Sequence, residues 1–177
     1  MEIRNVTNDR ETIDRLCNLL MISFDHAWNE YEEALAEVKE TLQPERISRV
    51  AMDDTAKTLG WIAGRSNYGG NVWELHPLVV APDHRNLGIG RALVRDFEQQ
   101  VRARGGLTIT LGTDDESGDT TLSGVDVYSD LAGHIKHFHV TGNHPAAFYD
   151  KLGFVITGVV PDANGTGKPD IYMSKRV

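Results

Sequence analysis

The sequence is almost free of cysteine, because Cys17 is the only one among 177 residues. A single cysteine cannot form an intramolecular disulfide, so a reducing compartment is the simplest context and we expect a cytoplasmic protein. Cys17 stands among Leu16, Leu19 and Leu20, which predicts a small core residue rather than a reactive thiol.

Long hydrophobic runs and an excess of positive charge are also missing. The segment MEIRNVTNDRE has no apolar run of signal-peptide length, and no stretch approaches the roughly 20 apolar residues that span a bilayer. With 18 Lys and Arg against 26 Asp and Glu, the formal net charge is −8. This charge argues against a nucleic-acid partner and is compatible with a cationic ligand, although it also serves solubility alone.

The sequence has no familiar metal signature. The spacing of its late histidines matches no zinc motif, and the only cysteine is distant. We therefore predict no metal site and interpret these histidines as loop polarity: His134, His137, His139 and His144.

Hydrophobic periodicity predicts one α/β domain over residues 1–177, with a twisted mixed β-sheet flanked by helices. Residues 114–140 read as a polar insertion of loops with at most a short helix. Helices are predicted over residues 9–23, from residue 31 until Pro44 ends the pattern, after residue 90, and in NHPAAFYDKLGF, with Asn143 as N-cap. The helix after residue 90 carries one apolar stripe of residues four apart, Ile89, Leu93, Phe97 and Val101, with Glu98 off it. Strands are predicted at EIRNV, RISRVAM, TLGWIAGRS, VWELHPLVV, LTITLGT, FVITGVVP and PDIYMSKRV.

The segment DHRNLGIGRALV predicts a phosphate-binding turn where a strand passes into a helix. Glycines at a helix N-terminus let an anion approach unpaired backbone N–H groups, and Arg85 adds a guanidinium. A P-loop would need Gly-Lys-Ser/Thr, and a dinucleotide fingerprint would need glycine or alanine where Leu93 stands. The remaining alternative is a tight turn in which Gly88 and Gly90 only permit a bend.

LVVAPDHRNLGIGRALV resembles the acetyl-coenzyme A segment of the GNAT N-acetyltransferase superfamily, and HPAAFYDKLGF resembles its later helix and strand. WELHPLVV, GGLTITLGTDD, TTLS and PDANGTGKPDIYM are similar to the chromosomal enterococcal type of aminoglycoside 6′-N-acetyltransferase. The resemblance implies acetyl-CoA as co-substrate, an aminoglycoside substrate and a homodimer. It also implies cofactor-binding roles for Leu78, Val80, Arg85, Asn86, Leu87, Gly88, Ile89, Gly90 and Arg91.

The strand WELHPLVV carries candidate catalytic residues. Glu74 and His76 are two apart and share one face of a regular strand, while Pro77 favours a bulge or a splayed strand. The resemblance implies substrate-side roles for both, and a Leu78 amide that contacts the thioester oxygen. Glu74 could bind the ammonium, relay its proton or form only a salt bridge, and His76 could be structural.

Tyr149 is a candidate proton donor. The resemblance places a tyrosine here to protonate the coenzyme A thiolate. Phe148 and Leu152 are four apart and are predicted to face the core, which would turn Tyr149 elsewhere. The alternative is a tyrosine packed on the helix surface.

A polycationic substrate predicts carboxylates and aromatic faces around the acceptor. We expect substrate contacts from Asp114 and Asp115 after strand LTITLGT, from Asp170, and from the rings of Trp28 and Tyr68. Asp114 and Asp115 could instead be a solvated acidic loop. Two other functions stay open: acetylation of a polyamine or protein lysine, and a non-catalytic acyl-CoA-binding module, against which Glu74 and Tyr149 argue.

Overall fold

The computed structural model describes residues 1–24 and 27–177, which form two compact units. The first unit comprises residues 1–109 with Val177, and the second comprises residues 110–176. Among the described residues, no helix has the length and apolar character that crossing a membrane requires.

The described residues of the first unit form a four-stranded antiparallel sheet with three α-helices, in which neighbouring strands follow the chain order. The predicted strands RISRVAM and TLGWIAGRS are confirmed and form an antiparallel hairpin, and the predicted strand VWELHPLVV is confirmed. The elements are β1 (Glu2–Asn5), α1 (Arg10–Ser23), α2 (Tyr31–Glu40), β2 (Ile47–Met52), β3 (Thr58–Asn67), β4 (Val72–Val80) and α3 (Ile89–Ala103).

The two faces of β3 are covered by different helices. Trp61 and Ala63 are buried in one core cluster with residues of α1 and α2, and Cys17 lies in that cluster, as predicted. The alternating positions Gly60 and Gly64 face α3: a Cβ on Gly60 would lie 3.1 Å from the Leu93 side chain. The missing side chains therefore let α3 pack closely against the sheet.

The predicted irregularity at Pro77 is confirmed as a bulge. Gly64 pairs with Leu75 and Ile62 pairs with Leu78, so His76 and Pro77 together oppose the single residue Ala63. One extra residue reverses the alternation of side chains along β4. Glu74 and His76 before the bulge therefore share a sheet face with Val79 after it, and that face is the one that α1 and α2 cover.

The apolar stripe of α3 is confirmed, with one addition. Ile89, Leu93, Phe97 and Val101 are all buried. Glu98 is buried as well, although the periodicity places it off the stripe, and its carboxylate lies 3.7 Å from Arg102. The C-terminal turn contains Gly105 at φ +77, a left-handed conformation that glycine adopts readily.

The second unit contains three neighbouring strands in the order β5-β7-β6, and β6 and β7 form an antiparallel hairpin. The 114–140 insertion contains a 3₁₀ turn (Val127–Ser129) and one short helix, and Thr120 bridges to Val140. The elements are β5 (Thr108–Asp114), of which residues 110–114 belong to this unit, α4 (Leu131–Lys136), α5 (Ala146–Asp150), β6 (Val155–Val160) and β7 (Asp170–Arg176).

Two predictions about α5 are wrong. The N-cap is Pro145 rather than Asn143, since the helix has only 5 residues and begins at Ala146. Tyr149 is buried, whereas Phe148 and Leu152 are half-buried. In so short a helix, contacts with the segment that follows decide which side is covered: the Tyr149 ring packs edge-on against Phe154, the residue before β6, at 5.5 Å between centroids.

The predicted fold class, a mixed α/β fold with helices flanking β-sheet, is confirmed. The assignment of residues 1–177 to a single domain stays a prediction.

Candidate active site

The backbone of β4 presents two amides away from β3. Ala81 N–H donates to Leu59 C=O at 2.9 Å, and hydrogen-bonded pairs recur at every second residue of an antiparallel ladder. Val79 therefore points its N–H toward β3, while Leu78 and Val80 point theirs to the opposite edge of β4. These are the two amides that the sequence predicts as donors to the thioester oxygen and to the cofactor.

The Arg85–Gly90 turn opens α3 without a side-chain cap. Gly88 is the N-cap at φ +84, Asn86 also has a positive φ of 63, and the first turn of α3 carries no acidic residue. Uncapped N–H groups at a helix N-terminus attract an anion. Arg85 is exposed, and its Nε donates to Val80 C=O at 3.4 Å.

The predicted cofactor residues of this turn differ in what they can offer. Leu87 is 69 % exposed, whereas the Ile89 side chain is buried in the core and only its backbone remains available. Asn86, Gly88 and the exposed Arg91 side chain lie at the surface. The turn therefore offers an anion backbone amides and arginines, with no carboxylate in the first helical turn.

Glu74 and His76 line one cavity of about 310 Å³ in the first unit. The prediction that they share a face is thus confirmed. Glu74 Oε2 accepts a hydrogen bond from Arg65 Nε at 2.6 Å and from Asn67 Nδ2 at 3.3 Å. Glu74 is therefore salt-bridged and at the same time part of the cavity wall.

His76 lies between an aromatic ring and a carboxylate. Its ring centroid is 5.9 Å from that of Trp28, which in turn packs edge-on against Phe24 at 5.0 Å. On the other side, His76 Nε2 lies 3.7 Å from Glu37 Oε1. Of the predicted substrate residues, the structure thus brings Trp28, Glu74 and His76 together.

Helix α2 supplies cavity residues that the sequence analysis missed. Glu37, Glu40 and Thr41 line the cavity with Arg46, which forms an ion pair with Glu40. Burial raises the pKa of Glu37, and the nearby His76 partly offsets that rise. The available signal was the spacing of Glu37, Glu40 and Thr41, which places all three on one side of α2.

The side chain of Tyr149 is buried in the second unit. Burial raises its pKa well above the ordinary range of tyrosine, so the phenol keeps its proton at physiological pH. Phe148 and Phe154 contact its ring at centroid distances of 5.1 and 5.5 Å. A protonated hydroxyl is the form that a general acid requires.

Asp114 and Asp170 form an acidic pair in the second unit. Burial raises the pKa of Asp170, and the negative charge of Asp114 raises it further. Asp114 is exposed and accepts a hydrogen bond from Asn164 Nδ2, and Asp170 is half-buried. Two carboxylates that repel each other are a suitable counter-charge for an ammonium group.

Asp115 has a different position from the one predicted. Its side chain is fully buried and accepts hydrogen bonds from Gly118 N–H at 3.0 Å, Asp119 N–H at 2.8 Å and Thr120 Oγ1 at 2.6 Å. The carboxylate organises its own loop, so neither substrate contact nor a solvated loop describes it.

Tyr68 lies on the exposed turn between β3 and β4, at φ +51 and 81 % exposure. Among the late histidines, His144 is buried: its Nδ1 accepts from Ala146 N–H at 3.2 Å, and its Nε2 lies 3.1 Å from Asp114 C=O. These contacts fix the ring as a structural element. Within residues 1–24 and 27–177, no group of three or more His, Cys, Asp or Glu side chains could hold a metal ion.

The chain is similar to known acetyltransferases in sequence and in structure. The model of the acetyltransferase (GNAT) family matches residues 13–120. A search of curated proteins gave no match. An aminoglycoside 6′-N-acetyltransferase solved with coenzyme A is similar at 40% identity and TM-score 0.94, over 99% of this chain and 97% of that one. The aminoglycoside 6′-N-acetyltransferase of Enterococcus faecium is similar at 41% identity and TM-score 0.92, with the same coverage.

Proposed function

Because the chain belongs to the acetyltransferase (GNAT) family, we propose that it transfers acetyl from acetyl-CoA to the 6′-amine of aminoglycosides. Similarity at 40% and 41% identity over 99% of the chain, to two solved aminoglycoside 6′-N-acetyltransferases, carries this proposal. The predicted family and the predicted acetyl-CoA-dependent enzyme class are confirmed by the same findings.

The residues of the first unit fit the co-substrate. One relative was solved with coenzyme A bound. In this chain, the uncapped N-terminus of α3 and the open space around Gly88 suit a pyrophosphate, with Arg85 as a further donor. The outward amides of Leu78 and Val80 would then hold the thioester oxygen and the pantetheine arm. Bound acetyl-CoA supplies the acetyl thioester, and these backbone groups orient it.

The acceptor amine must lose a proton before it attacks a carbonyl carbon. We assign this step to the cavity that Glu74 and His76 line. Glu74 is anchored by Arg65, which favours binding and orientation of the ammonium. The more exposed His76 ring is free to take the proton. Tyr149 would donate its phenolic proton to the departing thiolate.

The aminoglycoside itself is a polycation with several ammonium groups. We propose that Trp28 and Tyr68 offer ring faces to its sugars and that Asp114 and Asp170 offer counter-charges. Asp115 is left out of this proposal, because its carboxylate is buried in its own loop. Acetylation of the 6′-amine would make the enzyme an antibiotic-resistance factor.

The decisive experiment measures thiol release with kanamycin A, a 6′-hydroxyl analogue, spermidine and a lysine peptide in parallel. We expect turnover with kanamycin A and a product in which mass spectrometry and NMR place the acetyl group on the 6′-nitrogen. The 6′-hydroxyl analogue should bind without reacting at that position. Turnover of spermidine or the peptide alone would favour the alternative amine substrates, and coenzyme A binding without any turnover would favour a binding module.

We also propose a homodimer in the cytoplasm. Strand β6 ends the β5-β7-β6 order and exposes 62 % of Val155 and 45 % of Val160, an apolar edge that suits a second copy of the chain. Analytical ultracentrifugation should give twice the chain mass. A monomer at micromolar concentration would contradict this proposal.

A further inference from the structure

Glu37 is the one carboxylate of its cavity for which the described contacts include no arginine salt bridge. Glu74 is held by Arg65, and Glu40 is held by Arg46. Glu37 instead lies against the ring of His76, at 3.7 Å between Oε1 and Nε2. Its side chain is 20% exposed, so water screens this charge less than it screens the others.

The position of Glu37 is set by α2 and not by the strand that carries His76. Ala34 and Val38 of α2 are fully buried in the core cluster with Trp61 and Val79, which holds the helix on this face of the sheet. Glu37 precedes Val38 and therefore lies at the rim of that packed side. A rigid helix thus presents a carboxylate to the imidazole.

We propose that Glu37 is a positioning residue for His76: it holds the ring with Nε2–H toward α2 and stabilises the positive charge that the ring gains from the acceptor ammonium. The separation exceeds hydrogen-bond length, so the interaction is electrostatic or passes through a water molecule. This inference rests on the proposed transfer to an amine.

The proton balance of the step is simple. An N–H bond of the acceptor ammonium breaks, and the proton binds the ring nitrogen of His76 that does not face Glu37. The nitrogen lone pair left on the amine then attacks the acetyl carbon, and the C–S bond breaks with its electron pair on the sulfur of coenzyme A. The departing thiolate takes up one proton, the acylated nitrogen loses its second proton, and His76 returns the first proton to water. The negative charge of Glu37 favours the intermediate imidazolium without itself taking the proton.

Several charged groups lie near Glu37 and shift its pKa in opposite directions. Burial raises the pKa of Glu37, and Glu40 raises it as well, whereas His76, Arg46 and Arg65 lower it. Glu74 lines the same cavity. A test must therefore remove the charge of Glu37 while leaving Glu40, Glu74 and both arginines unchanged.

The test compares the pH profile of kcat in wild type, E37Q, E37D and E32Q. Glu32 is the matched control, because it is exposed, shares a side of α2 with the exposed residues Ala36 and Lys39, and its substitution makes the same change in net charge. For E37Q we expect kcat to fall about tenfold, a fraction of what a general base contributes, with a smaller change in KM. The pH at half-maximal rate should move down by about 0.7 unit, the size expected for one unit charge near 4 Å in a water-like medium.

The remaining variants decide the interpretation. E37D keeps the charge and should recover part of both effects, and E32Q should match wild type. An unchanged pH profile in E37Q with a raised KM would make Glu37 a simple ammonium-binding group and overturn the proposal, as would an equal effect of E32Q. Wild-type turnover is measured first with each amine. If an amine other than an aminoglycoside proves to be the substrate, the proposed function fails. The pH profiles of the Glu37 variants are then compared with that amine as substrate.

Discussion

At the scale of single residues, environment separates side chains of the same type. Three carboxylates of the first unit share one cavity, yet Glu74 and Glu40 are paired with arginines and Glu37 faces His76. Asp114 and Asp115 are adjacent in sequence, but one is exposed and the other is fully buried. Hydrogen-bond partners and burial therefore decide which carboxylates are available to a substrate.

Replacing Tyr149 with phenylalanine should slow turnover and leave coenzyme A affinity nearly unchanged. Only the hydroxyl is lost, and the ring keeps its packing against Phe148 and Phe154. We expect kcat to fall about tenfold or more, below the usual range for general acids because a thiolate is a good leaving group. Stopped-flow turnover and calorimetry of coenzyme A measure the two effects. A wild-type rate where chemistry is limiting would remove Tyr149 from the mechanism.

Asp115→Asn should destabilise the second unit in a pH-dependent way. Burial raises the pKa of Asp115, but hydrogen bonds from Thr120, Asp119 and Gly118 outweigh it, and the net pKa is lowered. A lowered folded-state pKa stabilises the protein above the unfolded value, near 3.9, and this stabilisation is lost as pH falls through the folded value.

The free energy of unfolding, measured in urea, should therefore be lower in Asp115→Asn than in wild type by about 1–3 kcal/mol at pH 7. This difference should shrink below pH 4. The exposed neighbour Glu116 supplies the control substitution Glu116→Gln, which should change little. An Asp115→Asn difference that stayed constant with pH would argue against this origin.

At the scale of elements, the β4 bulge and the start of α3 organise the candidate site. The extra residue at His76–Pro77 brings Glu74 and His76 onto the face that α2 covers. It also leaves the amides of Leu78 and Val80 pointing away from β3. Immediately afterwards, α3 begins at an uncapped, glycine-rich turn. In the proposed function, one strand–turn–helix segment would therefore supply both acceptor-side and cofactor-side groups.

Replacing Gly88 with valine should abolish coenzyme A binding. Gly88 has φ +84 and no neighbouring atom within 4 Å, so a side chain would occupy the open approach to the helix N-terminus. The left-handed backbone adds a cost of about 1–2 kcal/mol for a non-glycine residue.

Gly105→Val is the matched control, because Gly105 has φ +77, equally open surroundings and a position at the other end of α3. Gly105→Val should lower the free energy of unfolding by about as much as Gly88→Val does. Calorimetry should show an unchanged affinity for coenzyme A. Near-native affinity in a folded Gly88→Val protein would exclude the turn as the cofactor site.

At the scale of the whole molecule, charge favours a cationic substrate. The formal net charge is −8, and Glu37, Glu40 and Glu74 line one cavity while Asp114 and Asp170 form a pair in the second unit. Long-range fields of this sign raise the local concentration of a polycation and are screened by salt.

The KM for kanamycin A should therefore rise severalfold as ionic strength increases from about 0.05 to 0.5 M, since the Debye length shortens to a few ångströms. Steady-state kinetics at saturating acetyl-CoA measure this. The KM for acetyl-CoA is titrated separately, because an anion at the α3 turn responds to different charges. A KM for kanamycin A that did not change with salt would contradict electrostatic recruitment.

The sequence by itself determined the features that depend on neighbouring residues. A segment rich in β-branched and aromatic residues located β4 at Val72–Val80, and a stripe with period near four located α3. Pro77 indicated the bulge, and the glycines of the 85–90 turn indicated an open helix start, because both effects arise within a few residues of backbone.

Only the tertiary structure decided which distant side chains meet. The contact between Glu37 and His76 depends on α2 packing over the sheet, and nothing local to either residue encodes it. The burial of Asp115 depends on how residues 115–120 fold back on its carboxylate, and the burial of Tyr149 depends on the neighbouring Phe154. Packing is a collective property of side chains far apart in the chain, so periodicity locates the elements and leaves their contacts open.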